Sequence, residues 1–259
     1  MSESIPVSDK APGRRRAAKG VRKRQLIEAT IESIAKRGLG ETTLSHVSTA
    51  AGLSQGIVNL HFTSKENLLN ETLNFLREDY DQALQQALAK APDTPAGRLA
   101  ALLRADFKAS VADRKKIAVW FAFWGEVKSR PAYRKICQDR VKNYNEILHG
   151  LLNALVVDGQ YANIDIPQLA DTITSLADGL WLNLLISARG MKRAEADRTM
   201  MQYLCSVFPK HKEAFSYVAK AAIDAKRLYR REQMNPGIDE SALVKKFGVI
   251  MSIKKGRSE

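Results

Sequence analysis

Cysteine is scarce: Cys137 and Cys205 are the only two in 259 residues. That excludes a disulfide framework and any Cys-x-x-Cys metal site. The four histidines, His46, His61, His149 and His211, keep no HExxH or other ligand spacing, so neither a metal nor a cofactor is expected. The phosphate-cradling glycine motifs GxxxxGKS/T and GxGxxG are absent as well. An enzyme is therefore not expected, although scattered acidic side chains could still meet in space. Long apolar runs are missing too. The longest near-apolar stretch, Ile117 to Gly125, falls far short of the ~20 residues that a bilayer helix needs. Met1 to Gly20 holds no apolar signal-peptide segment. Stable membrane insertion is thus not expected, and a cytoplasmic location is. Sustained period-two alternation is also lacking, as are Asn-Gly or Asp-Gly hairpins between β-branched runs.

What is present is positive charge and helical periodicity. Apolar residues make up 45% of the chain, enough to bury a core. Lys and Arg number 41 against 28 Asp and Glu, a net charge of +13. Such an excess favours an anionic partner, either nucleic acid or an acidic membrane surface. Eight of the bases, Lys10, Arg14, Arg15, Arg16, Lys19, Arg22, Lys23 and Arg24, lie in one acid-free stretch. Residues 1–20 combine this charge with Pro6, Pro12, Gly13 and Gly20, the composition of a disordered basic arm. Such an arm is either a solvated tail or a line of cations, Arg14, Arg15 and Arg16 among them, that follows phosphates or enters a minor groove.

From Val21 onward, Ile27, Ile31, Ile34 and Ala35 recur at helical intervals, and Gly38 and Gly40 end the first helix. Short helices then extend to about Phe62, and a longer one covers Lys65 to about Ala89. After the break at Ala91–Pro95, helical patterns cover Arg98–Ala112, Arg114–Lys128, Tyr133–Leu155, Pro167–Arg189 and Arg193–Phe208. Asp158-Gly159 reads as a link between two of them. The chain is expected to be all-α. Its expected parts are the arm over 1–20, a three-helix module over 21–66, a larger helical domain over 67–208 and a basic extension over 209–259. Within the extension, Lys212–Arg231 has the thin apolar stripe of a basic helix.

Thr42 to Leu69 carries the densest signals. Thr43 is a suitable N-cap for a short helix with Leu44, Val47 and Ala51 on one face, and Gly52 supplies the left-handed residue that closes it. Ser54 opens a second short helix, Gln55 to about Phe62. Ser64 opens the next, with Glu66 in its first turn. Helix, glycine turn, helix is the arrangement that lays its second helix into a DNA major groove. In that second helix Val58 and Phe62 point inward, while Gln55, Gly56, Asn59 and His61 form the polar side. Gln and Asn side chains can bond adenine in pairs, Ile57 can meet a thymine methyl, and Gly56 lets backbone approach closely. Thr43, Ser54 and Lys65 sit at helix starts, where free N–H groups favour phosphate. Helical hairpins with a glycine turn are common in all-α cores. The polar second helix and the basic arm weigh against that bland reading here.

Val21–Leu69 resembles the DNA-binding domain of the TetR family of transcriptional regulators. The resemblance rests on Gly38-Leu39-Gly40, Thr42-Thr43, Ala50-Ala51-Gly52-Leu53-Ser54, Gly56, Phe62 and Ser64-Lys65-Glu66-Asn67-Leu68. One departure is Asn59, which stands where many members carry a tyrosine that packs on phosphate. The resemblance implies a homodimeric repressor on double-stranded operator DNA, released when its larger domain takes a small-molecule effector. It also adds Thr42 to the DNA-facing set.

The chain's three tryptophans fall in two segments. Trp120, Phe121, Phe123 and Trp124 crowd one helix, and Trp181 follows Asp178 by about a turn on another. Aromatic stripes at helical spacing are usually core. The sharper reading is a cage of tryptophan faces around a cation, with Asp178 or Glu126 supplying charge. These segments resemble the ligand domain of the choline-responsive, BetI-type branch of the family, which implies a cationic effector such as choline. On Pro167–Arg189, Leu169, Ile173, Leu176, Leu180 and Leu184 form a stripe that Trp181, Leu182, Leu185 and Ile186 extend round the helix. Together with Met200, Met201, Leu204 and Val207, it is expected to pair with its copy in a homodimer. Two alternatives remain: a basic peripheral membrane protein, and an enzyme whose site the motifs do not reveal.

Overall fold

The computed structural model describes residues 12–216, with side chains from Lys19 onward. Among the described residues, α-helices follow one another with no strand between them. They are α1 (Pro12–Glu41), α2 (Leu44–Ala51), α3 (Gln55–His61), α4 (Lys65–Ala89), α5 (Pro95–Ala105), α6 (Arg114–Glu126), α7 (Pro131–Gly159), α8 (Ile166–Ile186) and α9 (Arg193–Val207). A single 3-10 turn, Pro209–His211, leads into α10 (Lys212–Phe215). Side-chain oxygens start five of the helices: Thr43, Ser64, Thr94, Asp113 and Asp165 each accept a backbone N–H in the first turn. Gly38, at φ 84° and ψ 169°, interrupts α1 near its end, and Gly52, at φ 63°, closes α2.

The core is continuous from end to end. Leu26, Ile27, Ile31 and Ile34 of α1 meet Val47, Val58 and Phe62, and the start of α4 adds Leu68 and Leu69. Further along α4, Leu73, Leu76, Tyr80 and Leu84 are buried in the larger domain, so one helix belongs to both bodies. The second junction is α6, which packs along α1. There Lys115 pairs with Glu32 of α1, and Lys116 pairs with Asp79 of α4 at 2.6 Å.

The structure departs from the sequence reading at four places. Residues 12–20 are helical rather than disordered: α1 begins at Pro12. Proline suits a first helical position, and the Arg, Ala and Lys that follow are strong helix formers. The rest of the arm, and the side chains of Arg14, Arg15 and Arg16, lie outside the described residues. At the other end, the folded body continues past 208. Phe208 and Phe215 are fully buried, Arg104 donates to the Phe215 carbonyl at 3.2 Å, and His211 bridges Tyr161 and Asp158. Residues 217–259, with most of the expected basic helix, lie outside the described residues.

The apolar stripe of α8 and α9 is the third departure. Leu169, Ile173, Leu180, Leu184, Met200, Met201 and Leu204 are buried within the protomer, because α8 packs on α6, α7 and α9. That leaves Leu182 and Ile186 exposed, at 38% and 63%. The fourth is helix length. α5 stops at Ala105, and Asp106 to Ala112 turns inward, burying Phe107, Val111 and Ala112. α7 runs through Asp158-Gly159, and the reversal falls on Gln160 at φ 48°.

Candidate DNA-binding face and effector cage

The polar side of α3 stands on two anchors. Val58 and Phe62 are 0% and 1% exposed; they seat the short helix in the common core, and α3 packs on α2. Gln25 of α1 donates from Nε2 to the Ala51 carbonyl at 2.7 Å, tying down the turn before α3. Above these anchors Gln55, Gly56 and Asn59 are exposed and His61 and Ile57 are half-buried. A Cβ on Gly56 would meet nothing nearer than Ser54 Oγ at 3.8 Å. The chain itself does not require glycine there; a closely approaching partner would. Leu60, which the sequence reading passed over, is 71% exposed beside Asn59.

The positions around α3 divide. Thr43 is exposed and its hydroxyl accepts the His46 N–H at 3.1 Å. Ser54 occupies the N-cap position of α3 without making a side-chain cap. Lys65 donates from Nζ to the Gly40 carbonyl at 2.9 Å, leaving two of its three N–H bonds for another acceptor. Thr42 does not belong with them. It is 1% exposed and donates to the Gly38 carbonyl at 2.8 Å, with its hydroxyl 3.2 Å from that of Ser33. It braces the Gly38 kink instead of facing DNA. His61 is held below its ordinary pKa by partial burial and by the positive charges of Lys19, Arg22 and Lys23. The end of α3 therefore lies in a positive field made by α1.

Gly52-Leu53-Ser54-Gln55-Gly56 also spells GxSxG. A nucleophile elbow needs a strand-to-helix turn, and here Ser54 lies between two helices.

The rings of Trp120, Trp124, Trp181 and Tyr80 gather around a cation of the chain's own, Arg140. The guanidinium of Arg140, on α7, lies 4.3 Å from the ring centre of Tyr80, 5.1 Å from Trp120, 5.7 Å from Trp124 and 5.5 Å from Trp181. Arg140 is only 7% exposed. The ring planes of Trp124 and Trp181 are nearly parallel, with centres 6.5 Å apart, and Phe121 meets Trp124 edge-on at 4.9 Å. Phe123 faces elsewhere. It is fully buried and packs edge-on against Tyr133 at 4.9 Å, a core contact one helical step from the cage.

Beneath the rings, Asp106 accepts from the hydroxyls of Tyr80 at 2.6 Å and Tyr144 at 3.2 Å. Its backbone carbonyl accepts the Trp181 indole N–H at 3.0 Å. Burial pushes the Asp106 carboxyl up from 3.8 to about 6, against the opposing pull of the two hydroxyls and Arg140. Burial also raises Asp178, with Arg140 again opposing. Tyr80, Asp106, Arg140 and Tyr144 were invisible to the motif reading. Arg140 and Tyr144 did leave a trace, since they share a helical face with the buried Tyr133 and Leu148.

Comparison with known proteins places this geometry. Two family profiles match: "Bacterial regulatory proteins, tetR family" over residues 26–72, and "BetI-type transcriptional repressor, C-terminal" over residues 95–209. The HTH-type transcriptional regulator BetI of Ectopseudomonas mendocina is 30% identical over 194 residues, spanning 71% of this chain and 92% of that protein. The chain belongs to the TetR family.

Within that family it is a BetI-type regulator, a DNA-binding transcriptional repressor. Among solved structures, a putative transcriptional regulator from Pseudomonas aeruginosa PAO1 aligns with a TM-score of 0.65 at 26% identity, covering 81% of this chain and 97% of that one. A putative regulator from Saccharomonospora viridis, solved in complex with choline, aligns at 0.63 and 21% identity, covering 71% and 96%. At that identity the second likeness speaks for the fold. TetR regulators are typically not enzymes. No described helix of this one is long and apolar enough to cross a membrane.

Proposed function

We propose that this TetR regulator binds its operator as a cytoplasmic homodimer and is released by a small quaternary ammonium compound such as choline. In this reading Gln55, Gly56, Asn59 and His61 face the base edges, while Thr43, Ser54, Lys65 and the arginines Arg14, Arg15 and Arg16 follow phosphates. The two copies of α3 stand about 34–36 Å apart in the DNA-competent dimer, one turn of duplex. Leu182 and Ile186, exposed on α8, belong to the pairing face.

The observation that carries the effector assignment is the cage itself. Trp120, Trp124, Trp181 and Tyr80 already hold a cation by their faces, the chemistry by which proteins take quaternary ammonium ligands. The choline complex of the Saccharomonospora viridis neighbour supports the same ligand class. Transmission to DNA has a direct route. α6 carries Trp120 and Trp124 and packs on α1, α1 packs on α2, and α2 packs on α3, so a shift of the cage can pass along these helices to α3.

The test begins with selection of bound sequences from random duplexes, followed by titration of choline into the complex. The operator should be two-fold symmetric, and choline should weaken binding roughly 5–150-fold. An asymmetric single half-site would overturn the dimer. Unchanged operator affinity at saturating choline would overturn the effector.

A further inference from the structure

We propose that Arg140 is a tethered competitor for the effector cage: its guanidinium fills the place of the effector's ammonium, and the effector binds by expelling it. This rests on the cationic-effector reading and adds the residue that sets its affinity. Three observations carry it. First, Arg140 lies over four rings at once, so the faces that would hold a ligand cation are in use. Second, the space left among Tyr80, Asp106, Arg140, Thr174, Asp178 and Trp181 is about 10 Å³, room for no more than one water molecule. A trimethylammonium group cannot enter unless a side chain leaves. Third, Arg140 is more than nine-tenths buried, yet its Nε has no hydrogen-bond partner, and neither has Thr174 Oγ1 across the same space. The rings meet the charge of Arg140 while its Nε–H goes without an acceptor.

The charges around the space favour exchange of one cation for another over capture of an anion. Asp106 and Asp178 both line it, and a ligand carboxylate beside Arg140 would face two carboxyl groups of the chain. An ammonium replacing Arg140 would meet the same rings and the same acids. Val141, next to Arg140 on α7, lines the space and is 41% exposed. The displaced guanidinium therefore has a short way to water. Apparent affinity for the effector is lowered by the fraction of time that the cage is free of Arg140.

The test compares full-length wild type with Arg140→Met, which keeps side-chain length and removes the charge. Both are titrated with choline by calorimetry, alongside the uncharged analogue bearing a tert-butyl group in place of trimethylammonium. The Met variant should bind choline about tenfold more tightly or better, with a smaller gain for the analogue. A second measurement uses wild type alone. The Arg140 Nε–H resonance, shifted by the rings around it, should move to a solvent-exchanging position as choline is added. Equal or weaker choline binding by the Met variant would overturn the competitor while leaving a cationic effector in place. So would an Arg140 resonance that stays put as wild type saturates with choline. If neither protein binds choline, the cationic reading falls, and the competitor with it.

Discussion

On α3, the exposed side chains proposed to read DNA stand on buried neighbours, Val58 and Phe62. In the cage, the aromatic and charged groups proposed to meet a ligand are themselves largely buried and already touch one another. The first surface is finished before its partner arrives, and DNA adds contacts without displacing any. The second is finished only while Arg140 is in it, so a ligand must replace contacts that now stabilise the fold. Alanine at an exposed α3 position should thus leave stability within about 0.5 kcal/mol, whereas alanine in the cage should cost both stability and ligand response.

The largest expected effect sharpens that contrast. Trp181 is 2% exposed, meets Tyr80 edge-on at 6.0 Å, and donates to the Asp106 carbonyl. Trp181→Ala removes a large buried ring and leaves that carbonyl unpaired. Chemical denaturation should show a loss of about 3–5 kcal/mol. A loss below about 1 kcal/mol would mean that the cage is not built like core.

Asp106 gives the next effect, about 3 kcal/mol across its titration, since one pKa unit is worth about 1.4 kcal/mol. Its folded-state value, about 6, lies above its ordinary 3.8. The folded chain therefore holds this proton more tightly than the unfolded chain. The resulting stability is fully present below 3.8 and is lost as pH rises through about 6. Asn cannot ionise, so wild type should lose stability relative to Asp106→Asn over that interval. Parallel pH profiles of the two proteins would show that the carboxyl is not held in its neutral form.

The two surfaces were also unequally legible in the sequence. The fold class and the α2-turn-α3 unit follow from local rules: Thr43 and Ser64 cap helices, Gly52 closes one, and Val58 and Phe62 share a face at a spacing of four. Thr42 misled because a matching motif position says nothing about burial. Its side chain turned to the Gly38 carbonyl, a contact set by the kink in α1. The cage draws on α4, α6, α7 and α8, so the register of no single helix reveals it. The tryptophans marked their place as the richest aromatic stretch, and Phe123 shared that stretch while facing Tyr133. Arg140 was the readable clue: a cation in register with Tyr133, Tyr144 and Leu148 must either be paired or lie on something polarisable. The dimer stripe failed for the opposite reason. Leu and Met on α8 and α9 are equally apolar whether they face a partner or their own neighbours, and here most face the latter.

The smallest expected effect falls on the surface that was easiest to read. Asn59 is exposed on α3, so Asn59→Ala should leave unfolding unchanged. Its consequence belongs to recognition alone. A side-chain amide that bonds one base in pairs contributes about 1–3 kcal/mol of discrimination against the wrong base. Binding to random duplexes is held mainly by phosphates, which this substitution does not touch. Operator affinity should therefore fall by that amount while affinity for random DNA holds, and the salt slope should be the same for both proteins. Equal losses on the two DNAs would make Asn59 a phosphate contact. A loss confined to the operator would instead make Asn59 a position that reads bases, with the anchoring left to the phosphate contacts around it.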